Sequence, residues 1–129
     1  MRHKIWMIAI IAVFFNIYPC FSQGKPFVIH IARETISIGD PEGEGVASRP
    51  AEWPAPLGPT FEKKFNIPFP LQQNAELHLE VLGVNSSKNY VEINGEKMGA
   101  LFPDGGTAFV QSLIIIPAKA FLQGENTIT

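Results

Sequence analysis

The sequence predicts an all-β domain, two antiparallel sheets packed face to face, and three observations lead there. Residues 75–81 alternate strictly, with Ala75, Leu77, Leu79 and Val81 on one face and Glu76, His78 and Glu80 on the other, the period of a half-buried strand. Residues 90–99 hold a second alternating run, Val91 and Ile93 against Tyr90, Glu92 and Asn94, and the Asn94-Gly95 step supplies the two positive-φ positions of a type I′ hairpin turn. Eleven prolines and eleven glycines cut the chain into short segments, and no stretch of helical period is long enough for a stable helix. Strands with one apolar face must bury it, and two stacked sheets do so.

The N-terminus stands apart. Arg2, His3 and Lys4 are followed by an almost wholly apolar run over residues 5–17, then by Tyr18-Pro19 and the small residues Cys20 and Ser22 before Gln23. A positive start, a short apolar stretch and small residues at a cut site make up a secretory signal peptide, so a signal helix over residues 1–22 and cleavage after Ser22 are expected. The run is shorter than the ~20 apolar residues of a transmembrane span. Cys20 raises a lipoprotein alternative, but Pro19 fits that cleavage pattern badly. Removal of residues 1–22 leaves 107 of the 129 residues, enough for one domain, 23–129. Cys20 is the only cysteine, so the exported part has no disulfide and depends on packing. Without Arg2 and Lys4, eight basic residues face 12 acidic ones, a net charge of −4. The charges are scattered without a basic stripe, which argues against nucleic acid and anionic membranes as partners.

Along the remaining chain, residues 27–31 read as a first strand and 35–38 as a short second one. Residues 40–59 form a long loop rich in Gly, Pro and Glu. In 61–67, Phe61, Phe65 and Ile67 share a face opposite Glu62, Lys64 and Asn66, and Pro68-Phe69-Pro70 ends the strand because proline gives nothing to a ladder. The strand at 75–81 and the hairpin follow. Residues 109–116 are apolar on both faces apart from Gln111 and Ser112, which places that strand centrally in a sheet. Residues 117–122 suit a single helical turn, and Gly124-Glu125-Asn126 is a turn opening the last strand.

The strand ending in Asn94-Gly95, with Gly99 soon after and the Gly124-x-Asn126 turn before the last strand, resembles the galactose-binding-like jelly rolls found as accessory, carbohydrate-binding modules of secreted bacterial proteins, glycoside hydrolases among them. The resemblance covers most of residues 60–129. It implies a jelly-roll β-sandwich, a non-catalytic role, and a last strand beside residues 27–31. In that family the strand after Gly-x-Asn runs on for several more residues, so a truncated member is one expectation. Several alternating residues added after Thr129 are then expected to raise the melting temperature.

Chemistry-bearing motifs are sparse. His78 lies between Glu76 and Glu80 on an outward face, but neighbours two apart on a strand are ~7 Å apart, and Glu76 and Glu80 are separated by ~13 Å, beyond a glycosidase pair. There is no G-x-S-x-G, H-E-x-x-H or phosphate loop, so the chain is read as no enzyme and without cofactor. Asp40, Glu42 and Glu44 start like a calcium loop, but Ala51 stands where the closing Glu belongs, and no metal ligand is assigned. Asn85-Ser86-Ser87 matches a glycosylation acceptor, a short motif frequent by chance. The binding candidates are aromatic. Trp53 sits on a proline-stiffened segment between Arg49, Glu52 and Pro54, where an indole stacks on a sugar ring while the charges bond its hydroxyls; the competing role is a cap on the core. Tyr90, outward by alternation, is a second platform or a cross-strand packing partner. The expected function is an exported, non-catalytic module that binds glycan or polysaccharide. The alternatives are a structural or protein-interaction module of the cell envelope and the accessory-domain fragment of a larger glycoside hydrolase.

Overall fold

The computed structural model describes residues 8–17, 27–38, 54–55, 57–84, 88–102 and 109–129. These form nine strands and one 3-10 turn: β1 (Ile8–Ile17), β2 (Phe27–Ala32), β3 (Ile36–Ile38), β4 (Lys63–Ile67), β5 (Ala75–Leu82), β6 (Tyr90–Ile93), β7 (Glu96–Ala100), β8 (Val110–Ile116), the turn Ala118–Ala120 and β9 (Gly124–Ile128). All pairings are antiparallel. One sheet runs β2-β1-β5-β8, with β3 beside the start of β1; the other runs β4-β9-β6-β7. The chain is all-β, two antiparallel sheets packed as a sandwich.

The apolar faces meet between the sheets. Phe15, Ile17, Ile67, Leu77, Ile93 and Ile116 are fully buried there. Phe15 of β1 packs against Phe65 of β4, with ring centroids 5.0 Å apart, and edge-on against Phe121 at 5.5 Å. Alternation in β5 is as expected, buried at odd residues from Ala75 to Val81 and half-buried at even ones. The hairpin turn is also as expected, with Asn94 at φ 52° and Gly95 at φ 81°.

The two turn motifs meet in space. The Asn94 amide donates to Asn126 Oδ1 (2.9 Å) and to the Ala120 carbonyl (3.0 Å), and Asn94 Oδ1 accepts from Thr127 N–H (2.9 Å). Buried Asn126 accepts from Leu122 N–H (2.7 Å) and donates to the carbonyls of Leu122 (2.8 Å) and Gly124 (3.0 Å). Gly124, at φ 98°, makes the tight turn this requires.

Three expectations need correction. The segment expected as a signal helix contains a strand: β1 sits between β5 on one side and β2 and β3 on the other. Its Ile, Val and Phe residues favour a pleated surface, and both neighbours satisfy its backbone. Second, β8 is an edge strand, not a central one; it pairs only with β5 among the described residues, and Leu113 and Ile115 are exposed. Its outward apolar residues lie on the open face rather than beneath a covering layer. Third, Ile128 is not beside β2. β9 lies between β4 and β6 in the opposite sheet, and the place beside β2 is taken by β1.

Candidate functional site

A cavity of about 430 Å³ opens between the sheets, within the range of small-molecule sites. It borders the contact between β6 and β9. β9 meets β6 at Ile128 opposite Ile93, and Thr129 and Glu92 exchange backbone bonds of 3.0 and 2.8 Å. Beyond that point β6 continues to Tyr90 without β9 beside it. On the other side, the β4–β9 pairing runs no further than Lys63 opposite Ile128. The chain before β4 crosses to the first sheet, where Leu57 N–H bonds the Ser37 carbonyl at 2.9 Å. The cavity lies between the crossing segment and β6.

Through this opening lie apolar walls: Ile10 and Val13 from β1, Leu79 from β5, and Val91, Leu101 and Ile128 from the other side. The mouth is mixed, with Thr60 and Phe61 on one lip and Lys88, Tyr90 and Glu92 on the other. An apolar surface fits inside while a polar edge stays at the rim. Tyr90 is 43% exposed, and Lys97 Nζ stands 4.1 Å from its ring centroid, covering one face by a cation–π contact.

Of the candidates read from sequence, Tyr90 alone is placed at this mouth. Trp53, Arg49 and Glu52 lie outside the described residues, as do Asp40, Glu42, Glu44, the Asn85-Ser86-Ser87 motif and Cys20. Among the described residues no group of three His, Cys, Asp or Glu is arranged to hold a metal, and no helix is long and apolar enough to cross a membrane. Thr60, Phe61, Leu101, Ile10 and Val13 carried no individual signal of a site, because the cavity is made by pairing between distant strands.

A second polar cluster lies on the outer face of the first sheet. His78 Nε2 is 3.0 Å from Glu76 Oε2, so side chains two apart on β5 lean together across the strand spacing. A carboxylate only accepts, so Nε2 donates to Glu76 in the tautomer that carries the proton there, and Asn16 Nδ2 lies 3.1 Å from the same nitrogen. The His78 ring stacks on Phe14 at 4.8 Å, and His30 flanks Phe14 on the other side at 5.7 Å. This is a closed set of contacts on a sheet face, away from the cavity. On the exposed face of the second sheet, Lys64 pairs with Glu125 at 3.0 Å, and that hydrogen bond and charge hold the Lys64 ammonium above the ordinary lysine range.

No family model, no curated protein and no solved structure matches this chain.

Proposed function

We propose that this chain is an exported, non-catalytic β-sandwich binding module with carbohydrate as the ligand class, and that its ligand site is the cavity beside Tyr90, whose wall is complete while a strand fills the place of residues 8–17. The observation that supports this is the cavity: an apolar interior behind a rim carrying Tyr90, Glu92, Lys88 and Thr60. A pyranose ring has a C–H face and a hydroxyl edge, which matches those two surfaces. The resemblance to galactose-binding-like accessory modules points the same way, and the finer jelly-roll reading is supported by the passage of β4 to β9 between the two sheets.

The test is a glycan and polysaccharide screen of the full chain, repeated with Tyr90→Ala and Val91→Trp. Loss of a ring contact worth about 0.5–1.5 kcal/mol weakens binding roughly tenfold in Tyr90→Ala. Val91→Trp, which points a large side chain inward, abolishes it. Absence of any glycan ligand, or binding indifferent to both changes, overturns the reading. Export is tested separately, by the intact mass of the secreted product, which begins at Gln23 if Ser22 is the cut site.

A protein-interaction role is the second reading, and one observation favours it. Among the described residues β8 is an edge strand, and its outward Leu113 and Ile115 are both more than half exposed. An unpaired apolar edge of this kind invites strand addition.

A further inference from the structure

Cleavage after Ser22 removes β1 from the middle of the first sheet, together with Ile10 and Val13 of the cavity wall. Among the described strands β2 and β3 pair with β1 alone, and without it they are held by the bond from Leu57 N–H to the Ser37 carbonyl and by Phe27 against Phe69. What remains is a groove one strand wide, its rims two sheet spacings apart, ~9.5 Å. We propose that this groove is a strand-acceptor site, filled by the chain's own β1 before processing and by an extended apolar strand of a partner polypeptide afterwards. The proposal rests on the export reading for the step that empties the groove.

The chemistry of the occupant is read from the strand now seated there. Both rims present backbone edges, β5 along residues 76–82 and β2 with β3 along 27–32 and 36–38, each antiparallel to the strand between them. A small ligand satisfies neither row, and buried unpaired peptide groups cost heavily. An extended backbone satisfies both, the mode of strand addition. Inward side chains are specified too. Ile10, Val13, Phe15 and Ile17 are each at most 5% exposed. Phe15 fills the space between Phe65 and Phe121, so the partner strand needs a large aromatic at that position. Outward positions are less demanding: Phe14 and Asn16 are half-buried against His30 and His78. The partner segment is about eight to ten residues long, has no interior proline, and carries no inward charge.

The experiment uses the full chain with a specific protease site placed within residues 18–26, folded first and cut afterwards. A labelled peptide of residues 8–17, bearing lysines at both ends for solubility, is then added in excess. The two pieces stay together after the cut, and labelled peptide replaces the resident strand at one per chain. A Phe15→Ala peptide competes about a hundredfold less well, and an order-scrambled peptide does not enter. The proposal is overturned if the cut chain keeps its melting temperature after the 8–17 piece is washed away, or if the scrambled peptide enters equally. Uncut chains that trade β1 and form dimers make a second copy the occupant and overturn the partner strand. A secreted product that retains residues 1–22 shows that the groove is never emptied, which also overturns it. The glycan screen has no bearing on peptide exchange, so the two readings fail separately.

Discussion

Phe15→Ala tests whether the N-terminal apolar run belongs to the folded core. Phe15 has no exposed surface and touches Phe65 and Phe121. Truncating a buried Phe to Ala costs about 3–5 kcal/mol, through lost transfer free energy and the cavity left behind. A domain of this size has roughly 5–15 kcal/mol of stability in all, so one substitution removes a large share. At about 4 °C per kcal/mol, the melting temperature falls by roughly 12–20 °C. Phe14→Ala is the matched control. Its ring is on the outer face, half-buried and stacked on His78 at 4.8 Å, so the loss is about 1 kcal/mol. Both variants are measured in the uncleaved chain by thermal and urea unfolding. Equal, small effects at the two positions refute the reasoning, because they place Phe15 outside the sandwich.

Three other outcomes follow from the packing. Asn126→Ala leaves Leu122 N–H and the Leu122 carbonyl without their side-chain partner and lowers stability by about 1–3 kcal/mol, read as a shift in urea midpoint at constant slope. Gly95→Ala forces a side chain onto φ 81° although nothing crowds the site; chain strain alone costs about 1 kcal/mol, and a larger loss points to a neighbour the turn must accommodate. Leu113→Lys with Ile115→Lys, on the exposed face of the β8 edge, lowers self-association in light scattering while the melting temperature holds; unchanged association shows that this edge is not the sticky surface.

Much of the sandwich was legible in residue order, for a local reason. Alternation at 75–81 and at 90–93 identifies strands with one buried face, and Asn94-Gly95 specifies a turn by φ alone. Continuous apolar runs were read less well. A run at 109–116 looks the same whether the strand is covered on both sides or left at an edge, and the run at 8–17 looks the same as a leader or as a buried strand. In both cases the deciding facts are the neighbours, residues 75–82 for each, and sequence does not display them. Tyr90 is exposed, as alternation implies, yet the cavity it borders was not foreseeable. That space is lined by residues of β1, β5, β6 and β9, segments far apart in the chain that only the sheet registers bring together.

The place of β1 sets a race during synthesis. Its most extensive pairing is with β5, which is complete only at Leu82, about 65 residues after Ile17. At roughly 5–20 residues per second, β1 waits some 3–13 s with one long flank unpaired. A ten-residue apolar segment exposed for that time is open to capture by whatever cellular machinery binds nascent apolar chain. Once β5 arrives, the same ten residues close into the sandwich, so translation speed between Ile17 and Leu82 sets how long they stay exposed.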